Sequence, residues 1–169
     1  VGFLGAAQVD RFGNLNSTVI GPYVQPATRL PGAGGAPEIA AHARETFVMA
    51  KASPRSFVPQ LDFRTSAGFG EGSGARKRTT ARGGGPRAVI TDFGILAPHP
   101  TTDELQLVAL FADATIDEAR AAVGWPLRIA ETVDAVPPPT AHELDTLRAL
   151  HARTRAAHAQ PVVLPALSP

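Results

Sequence analysis

Three glycines fall within four positions at Gly32-Ala33-Gly34-Gly35, and Ala36-Pro37-Glu38-Ile39-Ala40 follows at once. Each glycine costs backbone entropy on folding, so a cluster this dense does not serve stability. It lets the main chain pass close to another group and aim its N–H groups there. Pro37 suits the first turn of a helix, and a helix start adds unpaired N–H donors and a partial positive charge. The chemistry such a layout serves is anion binding or stabilisation of a developing oxyanion. The alternative is a loop that only turns the chain. GAGGA is not a dinucleotide fingerprint, because it lacks the G-x-G-x-x-G spacing. It is not a P-loop either, because no Gly-Lys-Ser/Thr follows.

Other chemistries find less support. Asp10, Glu38 and Glu71 are the carboxylates in or beside glycine-rich stretches. Asp10 sits where a good turn former is needed, and Glu38 sits where an acid complements a helix dipole. His42, His99, His142, His151 and His158 are scattered without metal-ligand spacing, so no metal site is expected. There is no G-x-S-x-G nucleophile elbow and no cysteine for disulfide or thiolate chemistry. A net charge of +1 over 169 residues argues against nucleic acid or an acidic membrane as partner. No apolar run approaches the ~20 residues that span a bilayer, and no signal peptide opens the sequence. A cytoplasmic location is the expectation.

The elements that must position the glycine loop are short. Phe3 to Val9 reads as a buried strand, broken at Asp10-Arg11-Phe12-Gly13-Asn14 and resumed from Leu15 to Ile20, with Asn16, Ser17 and Thr18 inside it. Strands are expected at Glu45–Lys51, Phe57–Arg64, Arg87–Phe93, Ile95–Leu96, Leu105–Phe111 and Leu127–Ile129. A helix is expected over Ile39–Arg44. Capping boxes at Thr115/Glu118 and Thr140/Glu143 open two more, the second amphipathic through Leu144, Leu147, Leu150 and His151. Between Ser66 and Pro86 lie seven glycines and a basic run, Arg76, Lys77, Arg78 and Arg82, with Arg87 just beyond. That composition predicts a flexible surface loop, or a mobile basic flap for an anionic ligand.

Several segments carry a resemblance in order: FLGAAQVDRFGNLNSTVIG, RLPGAGGAPEIA, SPRSFVPQLDFRTSAGFGEG, RAVITDFGIL and ELQLVALFADATIDEARAAVGW. Together they resemble the β subunit of class I CoA-transferases, of the glutaconate CoA-transferase type. Within that family the resemblance is strongest to the steroid ring-cleaving CoA hydrolases of actinobacteria. The resemblance implies an α/β fold, an open and mostly parallel sheet flanked by helices, over residues 1–159, with 160–169 as a loosely ordered tail.

It also implies a function. The chain would be the β subunit of a heteromeric enzyme acting on an acyl-CoA thioester, by CoA transfer between carboxylic acids or by hydrolytic ring opening. The alternative is a non-catalytic or truncated chain that only binds an α subunit. The partner implied is that α subunit, in a heterodimer or an α2β2 assembly. Coenzyme A enters as part of the substrate, with no bound cofactor. In the family, the main chain matched by Gly34 and Gly35 holds the oxyanion, and Gly32 and Ala36 border the thioester. Gln8, Asn14 and Asn16 match polar positions that bind the CoA arm or hold the loop. The family's nucleophilic glutamate belongs to a motif before FLGAAQ, and no residue of this sequence matches it. An N-terminally truncated chain, inactive alone, is therefore expected, with Val1 opening directly into a central strand.

Overall fold

The glycines and turn formers of the first thirty residues cut that region into strand fragments. In the computed structural model, which describes residues 1–159, β1 is Gly2–Leu4, β2 Gln8–Val9, β3 Leu15–Asn16, β4 Val19–Ile20 and β5 Thr28–Arg29. Antiparallel pairing joins β2 to β3 across the Asp10–Asn14 turn, and β4 to β5. The helix α1 (Ala36–His42) follows, then β6 (Thr46–Met49), a 3-10 turn (Ala75–Arg78), β7 (Pro86–Ile90), β8 (Gly94–Pro98) and β9 (Leu105–Phe111). Next come α2 (Ile116–Ala121), β10 (Arg128–Val136) and α3 (Ala141–Ala159).

One six-stranded sheet runs in the order β1-β6-β7-β8-β9-β10. β1/β6, β6/β7 and β9/β10 are parallel, while β8 is antiparallel to both neighbours. The fold is thus α/β with a mixed, mostly parallel sheet. Among the described residues β1 is an outer strand of this sheet, not the central one expected, because β6 alone pairs with it. β10 is longer than Leu127–Ile129 suggested: its register shifts between Ile129 and Asp134, and Asp134, Ala135 and Val136 resume the pairing with Ala109, Leu110 and Phe111. Phe57–Arg64 forms no strand; Phe57 makes a single parallel bridge to Val9, consistent with Pro59 breaking the ladder.

The core lies under one face of the sheet. Val9, Val48, Phe57, Val89, Leu96, Leu105 and Leu107 are fully buried, each worth about 1.5–3 kcal/mol against exposure. Phe57 stacks on Trp125, with ring centroids 6.1 Å apart. α2 opens with the expected capping box, Thr115 and Glu118 bonding each other's main chain.

Contacts divide the chain into two units, Val1–Val136 and a second from Pro137 onward. In the second, α3 is capped by Thr140 and Glu143. The hydrogen bonds from Thr140 hold the Glu143 carboxyl below its ordinary pKa. No residue of α3 is buried. The expected tail, residues 160–169, lies outside the described residues.

Candidate functional site

The glycine loop is where the sequence placed it, and its geometry separates the three glycines. Gly32 and Gly34 have φ of +104° and +51°, which L side chains rarely adopt. Gly35, the N-cap of α1, has φ −88° and ψ 5°. A Cβ built on Gly35 meets no atom within 4 Å, so nothing among the described residues requires glycine there. Ser17 grips the loop entry: its main-chain carbonyl takes the Gly32 N–H at 3.0 Å, and its hydroxyl donates to the Gly32 carbonyl at 3.0 Å. The Ala36 N–H is used within the loop, on Ala33. Among the described residues no acceptor takes the N–H of Gly34 or Gly35. Glu38 is exposed on the first turn of α1.

Gln8, Asn14 and Asn16 are buried, and all three are hydrogen-bonded inside the chain. Asn16 donates to Gln8 Oε1 and to the Val19 carbonyl, both at 2.7 Å, and accepts from the Thr18 N–H at 3.0 Å. Gln8 donates to Asp62 Oδ2 at 2.9 Å, and that oxygen also takes the Gly21 N–H. Asn14 Oδ1 accepts from Gly68 and Gly70 at 2.9 and 3.1 Å, while its Nδ2 donates to Asp10 and to the Gly70 carbonyl. These amides hold the strand fragments together where backbone pairing is too short to do so.

Asp10 is the turn former its position suggested. Its carboxylate accepts from the Phe12 and Asn14 main chain at 2.9 and 3.0 Å and from the Asn14 side chain at 2.8 Å. Burial pushes its pKa above the ordinary 3.8, against the opposing pull of those hydrogen bonds and of Arg64. A cleft of about 320 Å³ opens beside it, bordered by Arg11, Gln60, Arg64, Gly70 and Glu71.

The basic segment departs from expectation. Arg76 is buried, and its guanidinium donates to five main-chain carbonyls. Nε bonds Gly83 at 3.0 Å; Nη1 bonds Ala67 and Gly68 at 3.1 and 2.9 Å; Nη2 bonds Ala40 and Ala41 at 2.6 and 3.3 Å. All five N–H donors of the fork are engaged, so Arg76 has none left for a ligand phosphate. Burial lowers its pKa, yet an arginine stays charged in a protein. Gly83 and Gly84 lie against the end of α1, their N–H groups on Ala41 and Arg44 at 2.8 Å. A Cβ on Gly83 would run into the Ala43 carbonyl. Lys77, Arg78, Arg82 and Arg87 are exposed.

Two supports were not read from the sequence. Thr65 Oγ1 accepts the Ser17 N–H at 2.9 Å and lies 2.6 Å from Thr18 Oγ1. Arg76 is the other, and its setting among glycines and like charges resembles a solvated loop. Among the described residues no cluster of three His, Cys, Asp or Glu could hold a metal, and no helix is long and apolar enough to cross a membrane.

Known proteins resemble this chain in sequence and fold. The chain is 52% identical over 160 residues, 95% of its length, to the β subunit of 3-oxoadipate CoA-transferase of Pseudomonas knackmussii. It is 36% identical over 139 residues, 82% of its length, to the β subunit of glutaconate CoA-transferase of Acidaminococcus fermentans. It spans 62% of the first relative and 52% of the second. The crystal structure of the Acidaminococcus fermentans glutaconate enzyme superposes with a TM-score of 0.81 at 34% identity, over 86% of this chain and 56% of that one. IpdAB of Rhodococcus jostii RHA1 superposes with a TM-score of 0.73 over 86% of this chain and 58% of that one, a likeness of fold alone at 22% identity. The family model described as Coenzyme A transferase matches residues 1–121. With the family model, these relatives and the fold in agreement, the chain belongs to the coenzyme A transferase family.

Proposed function

We propose that this chain forms the oxyanion side of a heteromeric CoA-transferase that moves CoA between carboxylic acids. The N–H groups of Gly34 and Gly35 face the thioester oxygen as negative charge develops on it. The observation that carries this reading is Gly35: with φ −88° and empty space around its Cβ position, no described residue gives a reason for glycine there. A group approaching from outside supplies one, and the unused N–H groups face it. Gln8, Asn14 and Asn16 hold the loop's surroundings rather than the substrate. No residue of 1–169 matches the nucleophilic glutamate that the family resemblance implies, and the partner is an α subunit, as a heterodimer or an α2β2 assembly in the cytoplasm.

The substrate class is a dicarboxylic acid and its CoA thioester, because the relative with 52% identity carries 3-oxoadipate in its name. Hydrolytic opening of a steroid-derived acyl-CoA has only a likeness of fold behind it. The test uses the full-length β subunit with its co-encoded α subunit, assayed for CoA transfer from succinyl-CoA to 3-oxoadipate. Gly35→Val should fold and assemble normally and lower kcat by about 10²–10³, the scale of one lost oxyanion donor. A fully active Gly35→Val enzyme would refute the oxyanion role. An assembled but inactive wild type would favour a chain that only binds its partner.

A further inference from the structure

The glycine loop is mounted at two points, and both trace back to one segment. At its entry, Leu30 and Gly32 donate their N–H groups to the carbonyls of Thr18 and Ser17, each at 3.0 Å. Ser17 and Thr18 are in turn held by the Thr65 hydroxyl, at 2.9 and 2.6 Å. At the far end of α1, Arg76 ties the Ala40 and Ala41 carbonyls to those of Ala67 and Gly68. A helix of seven residues is a rod of roughly 10 Å, so fixing its end and the loop entry fixes the N–H groups between them.

We infer that Thr65 is a positioning residue for the reaction, holding the Gly34–Gly35 N–H groups on target through Ser17 and Thr18. This rests on the oxyanion reading of that loop. Thr65 touches neither Gly34 nor Gly35, and it acts on where they sit. A misplacement of about 1 Å in a catalytic donor costs up to ~10²-fold in rate, which makes the mount part of the machinery rather than only part of the fold.

Thr65→Val keeps the side chain's shape and removes the hydroxyl, while Thr65→Ser keeps the hydroxyl. In the complete heteromeric enzyme, Thr65→Val should lower kcat by about 10–100-fold with KM for succinyl-CoA changed less than about twofold, and Thr65→Ser should restore kcat. Amide exchange followed by mass spectrometry, which needs no substrate, should rise over residues 28–36 in Thr65→Val and stay unchanged over β7 and β8. Gly35→Val on the same preparation separates the two ideas. If Gly35→Val loses activity and Thr65→Val does not, the positioning role is overturned and the oxyanion reading stands. If Gly35→Val is fully active, both fall. A lower melting temperature with unchanged kcat per folded molecule, or no rise in exchange over 28–36, would make Thr65 structural only and overturn the inference. Should Thr65→Val not fold, Thr18→Val removes the 2.6 Å hydroxyl contact to Thr65 instead, and an unchanged kcat with unchanged exchange over 28–36 there overturns it equally.

Discussion

Replacing Arg76 by methionine keeps a side chain of similar reach and deletes all five donors. The cost follows from which carbonyls water can then reach. Ala67 is exposed and Gly83 half-buried, so solvent replaces the guanidinium at both. Ala41 keeps the N–H of Gly83. Ala40 and Gly68 are buried, and at about 1–3 kcal/mol for each carbonyl left without this donor, Arg76→Met costs roughly 2–6 kcal/mol. That is a large share of the about 5–15 kcal/mol that holds an ordinary domain. Arg76→Lys should fall between, because a compact ammonium cannot reach both Nη positions of a planar fork. Urea denaturation of the purified chain would give the order wild type, Lys, Met in midpoint, with slopes unchanged. The acceptors are carbonyl dipoles rather than carboxylates, so the gap should survive added salt, unlike that of an exposed ion pair. An Arg76→Met chain within about 0.5 kcal/mol of wild type, the range of a featureless surface substitution, would refute this reasoning.

Two further outcomes can be stated. The native Asp10 carboxyl binds its proton more readily than the unfolded one, since burial raises its pKa above 3.8. Its contribution to stability is therefore full below the unfolded pKa and is lost as pH rises through the folded pKa. The stability difference between wild type and Asp10→Asn should shift against wild type across that window, and a flat difference would show that Asp10 does not titrate abnormally. Among the described residues Ser66 Oγ is buried without a hydrogen-bond partner, so Ser66→Ala should be neutral or slightly stabilising in a thermal melt. A loss above about 1 kcal/mol, the net worth of a typical hydrogen bond, would mean that the hydroxyl has a partner after all.

Features encoded over a few neighbouring residues were legible in the sequence. The Thr115/Glu118 cap needs only residues three apart, and Gly-Gly-Ala-Pro places a loop before a helix on local grounds. What could not be read depends on partners far along the chain. Asn14 looks like any turn asparagine until Gly68 and Gly70 arrive at its Oδ1, 54 and 56 residues later. Arg76 looks solvated because its neighbours are glycine and like charge, yet bare glycine backbone is what offers a buried guanidinium its carbonyls. β10 extends past Ile129 by pairing with β9, a gain that local alternation does not report. The outer position of β1 is likewise a matter of which strand lies beside it.

The two glycine clusters should part company in a deep mutational scan that reads cellular abundance and enzymatic turnover separately. Gly83 and Gly84, which look like a dispensable spacer, lie against the carbonyls that end α1, so side chains there will deplete the protein itself. Gly35, which looks like a structural hinge, has open space around it. Its variants will accumulate to normal levels and be recognised as damaging only when turnover is scored. A variant classifier trained on abundance would rank these positions in the wrong order for their effect on the reaction.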